Sequence, residues 1–370
     1  MEVEQRRIWR WIGLLLLVAG TGVVVEYVLN ASNRDSASKL VATFLSVAST
    51  ATGVAVWLGK SPRPTGASRS LLERAADELA EQVRRQWERA ATERGLRSPE
   101  PISVWWQWSR QQVTGPVKAA VGGARFEPLP GMSAITARKL RSGTIKDLLG
   151  VYGGLGSGRL VIHGGPGAGK SGAAILLLLN TLSHRAKFKM TEERARVPVP
   201  VLFTVHGWDP DSEPIAGWLA GRLTGDYALL RAREYGRDAA ARLIDGGYIA
   251  VILDGLDEMA EALRLVALRA LDKQATFRLV VLTRSQEMVA AVSGGHLRAA
   301  AALELCSVQA RQAAEYLAST QTDPAPASWQ RLLKHLRDHP DGALAQALET
   351  PLMVSLVRDT YVPVVIRSTN

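Results

Sequence analysis

One cysteine, Cys306, stands in 370 residues, so no internal disulfide can form and a reducing compartment suits the chain. The six histidines show no ligand spacing. With a single thiol beside them, a metal centre of the His/Cys type is not expected, and His163 reads as a packing residue. No internal repeat is present, which sets aside solenoids and propellers. Acidic residues are in deficit: 35 Asp and Glu face 45 Lys and Arg, for a net charge of +10. That balance suits attraction to anionic lipid or polyphosphate and says nothing sharper.

What is present is more specific. Gly164, Gly165, Pro166, Gly167, Ala168, Gly169, Lys170 and Ser171 have the G-x-x-x-x-G-K-S spacing, entered directly from the apolar run Leu160, Val161, Ile162. A short strand that feeds a glycine-rich turn and then a helix at 173–182 lets backbone N–H groups and a helix N-terminus surround a polyphosphate. Gly164 and Gly169 avoid side chains where the backbone must close on the phosphates. Lys170 supplies a cation for the β- and γ-phosphates, and the Ser171 hydroxyl can ligate Mg²⁺. All eight residues are candidates for binding a nucleoside triphosphate. There is no Asn-Lys-x-Asp, so ATP is favoured over GTP, and no Leu-Ser-Gly-Gly-Gln, which argues against a transporter-type ATPase.

Two further strand-like runs end in polar residues. Residues 248–253 are a continuous apolar run, as in a strand buried on both faces of a parallel sheet, and Asp254, Gly255, Leu256, Asp257 and Glu258 follow. Asp254 is assigned to Mg²⁺ through water. Asp257 and Glu258 are both candidates for orienting or deprotonating the attacking water; the alternative is that one of them caps the helix starting near Glu261. Residues 278–282 form another such run, closed by Thr283, Arg284 and Ser285. Ligands sit at strand ends on the carboxyl edge of an open α/β sheet, so Arg284 is the candidate for sensing γ-phosphate charge.

These three blocks resemble the NACHT-type NTPases of the STAND class of signalling ATPases. The distinguishing mark is the small Gly255 after the first acid, with an acidic pair closing the block. Trp208, Asp209 and Pro210, and Thr350, Pro351, Leu352 and Met353, also look like recurring features of that family. The resemblance covers about 159–361. It implies that Pro351 approaches the adenine ring, that ATP or ADP with Mg²⁺ is the cofactor, and that the helical region after the sheet lids the nucleotide. The order Thr-Arg-Ser departs from the Thr-Ser-Arg of many members, which bears on Arg284 as the sensor. The resemblance also implies signalling, with bacterial defence against phage as a setting. The winged-helix and sensor domains of the family would begin about where this chain stops.

Two long apolar runs mark the N-terminus. Residues 11–29 are interrupted only by Thr21 and the pair Glu26 and Tyr27, and 40–58 hold nineteen residues without a charge. Each is roughly 27–30 Å long as a helix, enough to cross a bilayer. Trp9, Trp11, Tyr27 and Trp57 stand at the ends, where aromatic side chains settle at the interface. Arg6, Arg7 and Arg10 before the first run, with Lys60, Arg63 and Arg69 after the second, place both termini in the cytoplasm by the positive-inside bias. The alternatives are a cleaved signal peptide for the first run, disfavoured by Glu2 and Glu4, and a buried Ala/Val helix for the second. The expected localisation is therefore a two-span cell-membrane protein, with the bilayer as a partner.

Between these runs and the phosphate loop, 61–68 reads as an irregular linker. Residues 71–93 carry Leu72, Leu79, Val83 and Trp87 on one helical stripe, suited either to self-association or membrane contact, or to docking on the chain's own ATPase domain. Trp105, Trp106 and Trp108 read as packing or interfacial residues, so no nucleic acid is expected. Residues 135–140 and 145–149 read as short helical pieces. The expected fold is α/β: a P-loop three-layer sandwich with parallel strands at 160–163, 199–205, 248–253, 279–282 and 303–305. Helices are expected at 310–317, 328–337 and 344–359. The implied domains are a transmembrane hairpin (1–60), a linker and helical region (61–150), the nucleotide-binding domain (151–306) and a helical lid (307–370). The functional expectation is a membrane-tethered switch that binds ADP when closed, exchanges it for ATP and forms homo-oligomers on an unknown trigger. Two rivals are a non-hydrolysing ATP-binding scaffold and the ATPase subunit of a transport or nucleic-acid-processing assembly.

Overall fold

The computed structural model describes residues 66–97, 101–123, 125–292 and 295–360, within one compact unit that begins at Gly66. Seven strands among them form one mixed sheet: β1 (Trp105–Trp108), β2 (Ser142–Thr144), β3 (Arg159–His163), β4 (Val199–Thr204), β5 (Ile249–Asp254), β6 (Leu279–Thr283) and β7 (Ala301–Leu305). Their spatial order is β2-β1-β7-β3-β6-β5-β4. The last five in that order run parallel, and all lie on the expected apolar runs. Every residue of β3 and β6 is buried, which is why 160–162 and 279–282 read as unbroken apolar stretches. Register sets His163 opposite Thr283 and Thr204 opposite Asp254. The ends of β3, β6 and β5 therefore share one carboxyl edge, with β6 between the other two.

The remaining two strands extend the sheet antiparallel, β1 on β7 and β2 on β1. The tryptophan cluster is thus a strand. Trp106 is 1 % exposed and Trp105 51 %, the alternation a pleated strand imposes. The Trp106 indole Nε1 donates to the Thr144 carbonyl at 2.7 Å. Gly143 makes that approach possible, since a Cβ there would lie 2.5 Å from the indole ring. Residues 145–149 enter a 3₁₀ turn, Ile145–Asp147, and the helix Leu148–Gly154, closed by a capping box between Thr144 and Asp147. Residues 137–140 form only a turn.

The helix Gly66–Glu93 buries Leu72, Ala75, Ala76, Leu79 and Val83 against the helix Lys170–Arg185 and β4. Its stripe is therefore used within its own unit. Asp77 fixes the docking, accepting from Arg185 Nη2 at 2.5 Å and from Arg194 Nη2 at 2.7 Å. Burial lowers the Arg185 pKa, and Asp77 opposes that shift.

The expectation of a two-span membrane protein is corrected here. Among the described residues no helix is long and apolar enough to cross a membrane. Gly66–Glu93, at 28 residues, has the length, but Glu73, Asp77, Glu81, Arg84 and Glu88 interrupt any apolar run. The stretches 11–29 and 40–58 lie outside the described residues.

After β7 the chain is helical: Ala310–Ser319, Ala327–Asp338, Ala343–Ala347 and Pro351–Thr360. Ala313, Ala314, Leu317, Trp329, Leu336 and Val354 form its separate core. The single helix expected at 344–359 is two. Pro351, without an N–H, takes the first position of the second, where that donor is not needed.

Candidate functional site

The glycine-rich loop leaves β3 at His163 and enters the helix Lys170–Arg185, whose first turn holds Lys170 and Ser171. Gly167 and Gly169 have φ of 72° and 94°, left-handed backbone that glycine adopts without strain. Gly164 and Ala168 are buried, and Gly165 and Pro166 are exposed. Lys170 Nζ folds back along the loop and donates to the carbonyls of Gly164 (2.9 Å) and Gly165 (3.0 Å). Burial holds its pKa below the ordinary lysine range; Asp257, Asp254 and Glu287 oppose that shift, and Arg284 adds to it. A phosphate anion here would take up a cation already oriented by the loop.

Ser171 Oγ donates to Asp254 Oδ2 at 3.0 Å, and the Gly255 N–H donates to Asp254 Oδ1 at 2.9 Å. A hydroxyl and a carboxylate side by side are the hard-oxygen donors that Mg²⁺ prefers, so Ser171 and Asp254 fit that ion. No His, Cys, Asp and Glu cluster of three or more suited to a metal occurs among the described residues.

Past Asp254 the chain makes one 3₁₀ turn, Leu256–Glu258, entered through Gly255 at φ 83°. The helix Glu261–Gln274 starts from Ala260 with no side-chain cap, so neither Asp257 nor Glu258 is a helix cap. Asp257, whose side chain is 10 % exposed, instead accepts from Arg284 Nε at 2.9 Å. Glu258 is exposed, makes no ion pair among the described residues, and folds its carboxylate beside Gly255. A Cβ on that glycine would sit 3.2 Å from Glu258 Oε2. The small residue after the first acid suits both this approach and the left-handed backbone at φ 83°.

Arg284 follows β6 directly, between the loop and the acidic turn. His163 is fully buried, with Nδ1 2.9 Å from Ser285 Oγ and Nε2 without a hydrogen-bond partner among the described residues. Burial lowers its pKa, Glu304 opposing and Lys170 assisting. A neutral, buried ring that ties the loop's root to the Arg284 segment fits packing.

Beside the loop lies a cleft of about 400 Å³, walled by 167–173 and Leu176, by Pro351, Leu352 and Ser355, and by parts of 94–96, 101–104 and 144–146. Its size suits a small organic ligand. The Pro351 ring comes within 3.6 Å of where a Gly169 Cβ would stand, and Thr350 Oγ1 within 3.3 Å of the one at Gly167. Pro351 and the phosphate loop therefore face the same space.

No family model matches the chain, and a search of curated proteins finds no match.

Every candidate site residue thus lies at one sheet edge or on the adjoining cleft. Trp208 and Asp209 do other work: the Trp208 indole donates to the Glu213 carbonyl at 3.0 Å, and Asp209 Oδ1 accepts from the Asp211 N–H at 3.0 Å, closing a turn. Four further residues contribute. Arg264 grips the acidic turn, Glu287 lies close enough to act on Lys170, and Ile102 and Val104 wall the cleft. No local motif marks them: Ile102 and Val104 come from a distant segment, and Arg264 and Glu287 stand on the helices that follow Glu258 and Arg284.

Proposed function

We propose that this chain is an ATP-binding, Mg²⁺-dependent nucleotide switch of the NACHT type that hydrolyses ATP slowly. The observation that carries the reading is the convergence of Lys170, Ser171, Asp254, Asp257 and Arg284 at the shared ends of β3, β5 and β6, beside a cleft walled by Pro351. Lys170 would exchange the loop carbonyls for the β- and γ-phosphate oxygens. Ser171 and Asp254 would hold Mg²⁺, which when bound neutralises charge developing on the transferred phosphoryl. Arg284 stands where it can leave Asp257 for the γ-phosphate, linking the phosphate count to the state of the acidic turn. Glu258, exposed and without an ion pair among the described residues, is assigned to orient water, and Asp257 to the pairing with Arg284. By resemblance, ADP would hold a closed form, and ATP would shift the population to one that forms homo-oligomers.

The test is ATP turnover by the purified chain beside Lys170→Ala, with bound ADP and ATP read by chromatography. Slow hydrolysis and retained ADP, both dependent on Lys170, are expected. Nucleotide binding that survives Lys170→Ala at micromolar affinity would sink the site assignment. Bound ATP without turnover would favour the non-hydrolysing scaffold.

A further inference from the structure

The acidic turn carries Asp257 and Glu258, yet the helix behind it gives it no cap. Ala260 at the helix start has no side-chain acceptor to hold the first N–H groups. Within the turn itself the backbone is lightly tied: Glu258 N donates to the Gly255 carbonyl at 2.9 Å, and Met259 N reaches the Leu256 carbonyl at 3.4 Å.

The stronger restraint comes from one side chain. Arg264, in the first turn of the helix Glu261–Gln274, donates from Nε to the Met259 carbonyl and from Nη2 to the Asp257 carbonyl, both at 2.8 Å. These two carbonyls flank Glu258. A planar guanidinium holding both fixes position and orientation together, which a single ammonium cannot do. The helix that carries Arg264 is anchored by Ala267, Leu268 and Leu271, all buried. Asp257 is held a second time through its carboxylate by Arg284 at 2.9 Å. Glu258 has no such tie of its own, so its placement depends on the backbone that Arg264 grips.

Resting on the reading of this site as an ATPase, we propose that Arg264 is a positioning residue for hydrolysis: it sets the main chain on either side of Glu258 and so aims that carboxylate at the water. Its side chain bonds main-chain carbonyls of the turn, so its loss is expected in turnover rather than in binding.

The experiment compares wild type, Arg264→Ala, Arg264→Lys and Lys170→Ala as full chains, measuring steady-state ATP turnover and the affinity for a fluorescent ATP analogue. In Arg264→Ala, kcat is expected to fall about 10- to 100-fold, the scale of a misplacement near 1 Å, with affinity within about threefold of wild type. Millimolar guanidinium should restore part of the rate in Arg264→Ala and none in Lys170→Ala. Arg264→Lys, with one-point contact, should stay slow. Should Arg264→Ala not fold, Arg264→Gln carries the same comparison. The proposal is overturned if the variant keeps the wild-type kcat while wild-type turnover depends on Lys170. It is equally overturned if binding and turnover are lost together, because Arg264 would then be holding the fold. A wild type without Lys170-dependent binding would instead bring down the ATPase reading, and this proposal with it.

Discussion

Replacing Gly255 by alanine separates two effects that meet at one position. Its φ of 83° lies in the left-handed region, where an L side chain costs about 1–2 kcal/mol. The new Cβ would also stand 3.2 Å from Glu258 Oε2 and 3.3 Å from its Cδ. The neighbour is the end of a flexible side chain, so the carboxylate yields by a few tenths of an ångström and the fold survives. Domains of about 150–250 residues lose about 2–4 °C of Tm per kcal/mol, so this larger unit should lose a few degrees. Glu258→Gln and Gly255→Ala should then share a phenotype, slow hydrolysis with nucleotide affinity preserved.

Gly247→Ala is the control. Its φ is 74°, close to that of Gly255, but nothing lies within 4 Å of its Cβ position. It precedes β5, at the opposite end of the strand from Asp254. The backbone strain is therefore matched and the displacement of Glu258 is absent. Urea unfolding should give both variants the same loss of stability, while kcat falls only in Gly255→Ala. If Gly255→Ala retains wild-type kcat, the contact with Glu258 has no functional weight. If Gly247→Ala loses turnover equally, the effect is one of global stability.

Two further outcomes are expected. Glu258→Gln should lower kcat by about 10²-fold or more with binding spared, the usual contribution of a positioned acid or base; unchanged turnover would transfer the role to Asp257. Asp272 predicts a pH dependence. Burial raises its pKa, but the Arg298 backbone N–H and side chain and the Arg159 guanidinium outweigh burial and hold it below the ordinary carboxylate value. A depressed folded pKa means that its stabilisation is full above the unfolded value, about 3.9, and is lost as pH falls through the folded one. The fall in Tm as pH is lowered below about 4 should therefore be shallower in Asp272→Asn; parallel pH profiles would refute the assignment.

The legible part of this molecule is the part whose physics is local. β3, β5 and β6 are apolar through their middles because both their faces are buried, and their polar ends lie adjacent in sequence to the residues they present. β2 shows the opposite case. Ser142, Gly143 and Thr144 carry no apolar pattern, and their strand exists because Trp106, distant in sequence, donates to Thr144 and needs the missing Cβ of Gly143. The break at Pro351 was open to a stricter reading, since proline inside a helical pattern marks a start as readily as an interruption.

The choice between Asp257 and Glu258 was not open to any sequence argument. Both are acids, both precede a helix, and both suit a cap or a catalytic role by type alone. Their surroundings differ only when Arg284, arriving on another strand, takes the Asp257 carboxylate, and Arg264, arriving on the following helix, takes the carbonyls on either side of Glu258. The first partner occupies one acid; the second leaves the other carboxylate free and holds its backbone still. On the proposed reading, a group that aligns water needs that combination, a fixed backbone and an uncommitted carboxylate, and among the described acids of this turn Glu258 has it.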